Sequence, residues 1–231
     1  GPMEGIRFID IYATKGLEYL IVIAFLAAFV VFARHLSRPR QVAAGVAPAG
    51  DATRFRVPEG FFYHQGHSWL RPEQGSIGVV GLDDFAQKLV GKVDSLRLPA
   101  VGTSLTQGGK GWSLMIDSIP ISMLSPVDGE VVEVNRAVER WPELLKEDPY
   151  GKGWLLKVRS PRMLADTHNL LSGKVARAWM ENALDRLQPL SSENAGPALA
   201  DGGLPVEGLA RILGGTRWQD LARTHLLSEE A

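Results

Sequence analysis

Residues 109–135 constrain the fold more than any other stretch. Two apolar runs, 112–116 and 120–124, flank Asp117-Ser118-Ile119, and the turn Pro126-Val127-Asp128-Gly129 leads into a third run, 130–134. Short β-rich runs separated by turn residues predict antiparallel strands, and Asp-Gly between them is a strong hairpin signal.

Upstream, residues 19–33 hold no charged or strongly polar side chain, and Leu17 lies just ahead. A helix at a protein surface keeps a polar face, which this run lacks. It is slightly short for a bilayer span of about 20 residues. Glu18, Tyr19, Arg34 and His35 suit the two interfaces. The sequence therefore predicts a transmembrane helix over residues 17–34, in contact with membrane lipid. A buried core helix and a cleaved signal peptide are the alternatives, and Glu4, Asp10 and Glu18 fit poorly with a signal sequence. Arg34, Arg38 and Arg40 follow the run, whereas only Arg7 and Lys15 precede it. That excess predicts a single-pass inner-membrane protein whose C-terminal bulk faces the cytoplasm. Residues 1–16 read as an N-terminal tail, with Gly1-Pro2 ahead of Met3 as the remnant of a cleaved tag. Residues 35–57, rich in Ala, Gly and Pro, read as a linker.

With 25 Lys and Arg against 26 Asp and Glu, the chain has a formal charge of −1, which argues against a broad nucleic-acid surface. Without cysteine there are no disulfides, thiolate metal sites or Cys nucleophiles.

From Phe61 the texture is β. Residues 75–81 predict a strand and residues 82–89 a short helix, with Leu82, Phe85, Ala86 and Leu89 on one face. Gly91 stops that helix, and residues 93–98 predict a strand ended by Pro99. A helix is expected over 138–146 and a closing strand over 154–158. Gly109-Lys110-Gly111-Trp112 recurs as Gly151-Lys152-Gly153-Trp154, an echo compatible with pseudo-twofold halves.

Several of these segments resemble the glycine cleavage system H protein family. They are His67-Ser68-Trp69-Leu70-Arg71, Gly75-Ser76-Ile77-Gly78-Val79, Asp84-Phe85-Ala86-Gln87 and Leu98-Pro99-Ala100-Val101-Gly102, then Ser125-Pro126-Val127-Asp128-Gly129-Glu130-Val131 and Glu147-Asp148-Pro149-Tyr150-Gly151-Lys152-Gly153-Trp154-Leu155. The resemblance covers residues 63–159 in family order. It implies a mainly β (α+β) lipoyl-type hybrid barrel sandwich over residues 58–160; beyond it, the texture of residues 161–231 itself predicts a helical extension. It also implies a carrier, since the H protein holds lipoate on a hairpin-tip lysine within a Glu-Ser-Val-Lys-Ala-type motif and shuttles an aminomethyl group.

Here the sequence departs from the family. Ungapped counting from Gly102 or back from Pro126 places that lysine at Ser118, and the motif's Glu, Ser and Val fall on Met115, Ile116 and Asp117. Lipoate and biotin attachment both acylate a primary amine, and a Ser hydroxyl yields only a labile ester. Ser118 thus reads as a turn residue beside Asp117, and Lys110 lies at the wrong end of the hairpin for an arm. No cofactor and no catalytic residue is expected.

The remaining constellations are bland. His64 and His67, three apart, point to opposite faces of a strand and make no metal pair, while His67 and Trp69 share a face. Asp83-Asp84 and Glu229-Glu230 read as solvated charges. Beyond Pro161, Val175, Trp179, Ala183 and Leu187, with Ala176 and Met180, predict an amphipathic helix. Leu209, Ile212 and Leu213 predict another, ended by Gly214-Gly215. A third, capped by Thr216, carries Trp218, Leu221, Ala222 and Leu226. These helices either cover the barrel or dock a partner, with Trp179, Trp218 and Leu221 as the partner-binding residues. The expected function is a non-enzymatic, non-lipoylated scaffold or accessory subunit of a membrane-bound complex, redox or respiratory in type. The rival readings are a lipoate-dependent carrier using another lysine, and a decoy regulator of lipoyl-binding enzymes.

Overall fold

The structure is a computed structural model that describes residues 19–29, 54–187 and 207–227. Chain contacts divide it into two units, Gly1–Asp51 and Ala52–Ala231.

In the first unit, residues 19–29 form helix α1, whose apolar side chains are exposed, from Tyr19 at 68% to Phe29 at 57%. Among the described residues no helix is long and apolar enough to cross a membrane. The other residues of the predicted 17–34 span lie outside those described.

The second unit is built on antiparallel strands. Strands β1 (Phe62–Tyr63), β2 (Ser68–Pro72) and β3 (Ile77–Leu82) lead into helix α2 (Asp84–Val90). Then come β4 (Ser95–Arg97), β5 (Ser104–Leu105), β6 (Lys110–Ile116), β7 (Ile119–Leu124) and β8 (Gly129–Val134). Helices α3 (Arg136–Arg140) and α4 (Leu144–Glu147) precede β9 (Leu156–Arg159), α5 (Met163–His168), β10 (Leu171–Ser172) and α6 (Gly173–Leu187). Helices α7 (Leu209–Gly214) and α8 (Trp218–His225) close the described chain. One sheet runs β10-β1-β2-β3-β9-β8-β5 and the other β4-β6-β7. The core lies between them, and alternation explains how: Trp112, Leu114 and Ile116 of β6 are buried, and pair with Met123, Ile121 and Ile119 of β7.

Several sequence expectations need correction. Linker residue Phe55 is buried in the core, its ring 5.5 Å from that of Phe85. The helix expected over 138–146 is two helices. Pro142 disfavours a helical backbone at the residue before it, and Trp141 accordingly adopts φ −132°, ψ 78°. The buried face of α6 is Ala176, Met180, Ala183, Leu184 and Leu187, while Val175 is 63% exposed. Thr216 caps nothing, because α7 runs through a single 3-10 turn, Gly215–Arg217, directly into α8, whose N-cap Arg217 makes no side-chain cap bond.

The repeated Gly-Lys-Gly-Trp serves two different ends. Its first copy enters β6, whereas the second is a turn wrapped around Asp148, whose carbonyl accepts from Gly151 and Gly153 and whose carboxylate accepts from Lys152 N. A Cβ at Gly153 would lie 2.6 Å from Leu144 O and 2.8 Å from Asp148 O, both backbone atoms. Gly153→Ala is therefore expected to destabilise by about 1–3 kcal/mol, read from the urea midpoint. A midpoint equal to the parent's would show that the turn yields freely.

Candidate functional site: the β6–β7 hairpin tip

Two residues, Asp117 and Ser118, make the turn between β6 and β7, with φ of 49° and 66°. Both angles are left-handed, as a type I′ hairpin turn requires, because that geometry matches the twist of the flanking strands. Ile119, expected in the turn, is instead the first residue of β7 and pairs with Ile116. Asp tolerates the left-handed region better than most side chains, and here the backbone is also held from outside. Asp117 N donates to the Asp94 carboxylate at 2.7 Å, while Asp94 N donates to Met115 O at 2.9 Å. The Asp117 carboxylate forms an ion pair with Arg211 of α7. Ser118 is left exposed at the apex, and its hydroxyl is the only functional group it offers.

Lys110 is exposed too, but it opens β6 and pairs with Leu124 at the base of the hairpin. At the usual rise per residue that is about 25 Å from the apex.

The pair Asp83-Asp84, expected to be solvated, is buried, at 0% and 3% exposed. Asp83 accepts from Ala86 N as the N-cap of α2, and its other oxygen lies 2.8 Å from His67 Nδ1. Asp84 meets Lys88 at 2.9 Å and accepts from Arg56 N at 3.1 Å. His67 does not share a strand face with Trp69. It precedes β2 with φ 62°, and its ring stacks between Phe85 at 4.2 Å and Trp179 at 4.3 Å. His64 Nδ1 accepts a hydrogen bond from Gly66 N at 3.0 Å. Tyr150 OH donates to Arg56 O at 2.7 Å and accepts from Asp84 N; burial, before any neighbouring charge, raises its pKa.

Of the proposed partner-binding residues, Trp179 is turned inward onto His67, and Trp218 is 7% exposed beneath the Arg211 guanidinium. Leu221 is half-buried against the core, at the rim of a surface depression shared with Leu213, Arg217, Asp220 and Thr224. The geometry thus turns both tryptophans toward the domain itself. Sequence reasoning missed Asp94 and Arg211, which fix the tip. No local spacing marks residues so far from the turn.

Two histidines give the fold a pH dependence. Burial, then His67, lowers the pKa of His64; burial, then His67 and Arg186, lowers that of His225. Each binds fewer protons folded than unfolded, so its contribution is intact above about pH 6.5 and drains as pH falls toward the depressed folded value. Urea midpoints are expected to drop between pH 7.5 and 5.5, and to drop less in a His64→Gln/His225→Gln chain. An equal drop in both chains would rule these residues out.

Known proteins match this chain over the same domain. The family model described as Glycine cleavage H-protein matches residues 61–183. The glycine cleavage system H protein of a Thermus thermophilus strain is 38% identical over 128 residues, covering 54% of this chain and 97% of the relative. That of Carboxydothermus hydrogenoformans is 40% identical over 102 residues, covering 44% of this chain and 78% of the relative. A crystal structure of a glycine cleavage system H protein from Mycobacterium marinum aligns with a TM-score of 0.47 at 25% identity, covering 55% of this chain and 99% of that one.

Proposed function

Because this chain belongs to the glycine cleavage H-protein family yet presents Ser118 where the family's lipoyl lysine belongs, we propose that it is a non-lipoylated scaffold or accessory subunit of a membrane-bound complex. Proteins of the family are lipoyl carriers and not themselves catalysts, so losing the attachment point leaves a binding module. The observation that carries the reading is the apex itself: Ser118 is exposed on a turn held by Asp94 and Arg211, with no amine at the position. An ester on its hydroxyl would not survive as the link of a shuttling arm, and Lys110 at the hairpin base would aim an arm away from the tip. Residues 17–34 attach the protein to the bilayer in this reading, with the H-like domain facing the cytoplasm. Attachment suits a fixed subunit of a redox or respiratory assembly better than a carrier that must visit several enzymes.

The test is intact-protein mass after purification from native membranes in mild detergent, followed by native mass spectrometry. The expected result is the unmodified mass and stoichiometric association with other subunits. A lipoyl increment would establish the carrier reading instead, and an unmodified protein found alone would remove the scaffold.

A further inference from the structure

Residues 207–227 lie beyond the stretch that the family model matches, and they fold back onto the hairpin. The return is anchored at Gly208, whose backbone is left-handed at φ 74° and whose N–H donates to Lys88 O at 2.8 Å. Gly208 approaches the end of α2 so closely that a Cβ on Gly91 would lie 2.9 Å from its Cα. Lys146 pairs with Glu207 alongside. From this anchor α7 packs on α2, fully burying Leu209 and Ala210, and brings Arg211 to the Asp117 carboxylate beside Ser118. Helix α8 then packs against β7, an edge strand of the three-stranded sheet, and buries Ala222 and Leu226 completely. At its far end Leu226 O reaches the Gly66 loop, next to Leu124 at the hairpin base. The contact thus extends from the apex of the hairpin to its foot.

We propose that residues 207–227 are a built-in partner of the Ser118 hairpin, occupying the surface over β7 and clamping its tip against docking by another protein. β7 is the terminal strand of its sheet, the position at which a sheet can meet a second chain, and here α8 packs against it. Apolar burial drives the docking. The Arg211–Asp117 pair, with side chains 41% and 58% exposed, sets where the tip sits and adds little attraction in water. The inference goes beyond the absence of lipoate and does not require it, so intact mass and the test below can fail independently.

The test is amide hydrogen exchange on the full chain. In the parent, amides of residues 209–226 and 115–122 are expected to be protected together. Ala222→Glu buries a carboxylate under α8 and is expected to speed exchange at residues 115–122 by about tenfold or more, leaving β2, β3 and β9 unchanged. Arg211→Glu removes the Asp117 ion pair and the guanidinium over Trp218 but leaves Leu209, Ala210, Ala222 and Leu226 buried, and is expected to speed exchange chiefly at residues 117 and 118, which keeps the test decisive if Ala222→Glu does not fold. Free exchange of residues 209–226 in the parent would overturn the proposal. So would hairpin exchange unchanged by Ala222→Glu, or, should that variant not fold, tip exchange unchanged by Arg211→Glu.

Discussion

Asp83→Ala is expected to lower the melting temperature by about 5–15 °C, the loss that about 2–4 kcal/mol causes in a domain of this size. Two separate contacts disappear. Ala86 N loses its cap acceptor at the start of α2, worth about 1 kcal/mol. His67 Nδ1 loses the Asp83 carboxylate while the ring stays 2% exposed, and an unsatisfied buried donor costs about 1–3 kcal/mol. The effect extends beyond this pair, because the His67 ring is the middle layer between Phe85 of α2 and Trp179 of α6. Loosening it frees the helix that closes the domain, so Trp179 fluorescence should change together with the thermal transition. Asp83→Asn keeps an oxygen for the cap and should lose less, about 1–2 kcal/mol. If Asp83→Ala melts with the parent, the dyad contributes nothing to stability and the stacking alone holds α6.

The hairpin is legible in the sequence because everything that forms it is local. Alternating apolar residues set the faces of β6 and β7, and Asp117-Ser118 suits the turn. The missing amine at position 118 is equally legible, since the spacing from Gly102 and to Pro126 is ungapped. The surroundings of the tip are not. Asp94 precedes Asp117 by 23 residues and Arg211 comes from a helix near the other end of the chain, so only the fold brings them to the turn. Asp83-Asp84 reads as solvated for a related reason. Adjacent acids at a helix start are usually exposed, and their burial depends on His67, Arg56, Lys88 and Tyr150 arriving around them. In α6, Ala176, Met180, Ala183 and Leu187 of the expected apolar face are buried, whereas Val175 is exposed and Trp179 is only partly buried. A spacing of four residues drifts around a helix, and the phase is set by the strands beneath it.

Gly81→Val is expected to cost about 3–5 kcal/mol, comparable to truncating a large core aromatic. Gly81 pairs with Trp69 across β2 and β3, and a Cβ there would collide with the indole ring at Cζ2 and Cε2. The ring has nowhere to go. Trp69 is fully buried, its Nε1 donates to Leu82 O at 2.9 Å, and Phe61 packs edge-to-face against it with a centroid 5.0 Å away. Gly78→Ala makes the useful comparison, since there the added methyl meets Leu70 Cδ1 and Met163 Cε, the ends of side chains that can turn aside. Gly78→Ala should therefore lose about 1–2 kcal/mol, and an order reversed between the two would show that the indole is not the rigid element. The consequence reaches the hairpin tip. Leu82 ends β3 and is followed at once by the Asp83 cap, by α2, and by the Asp94 carboxylate that holds Asp117 N. A shift of the indole that displaces Leu82 therefore moves the support of the hairpin tip, and exchange at residues 117 and 118 should rise in Gly81→Val before the chain unfolds globally.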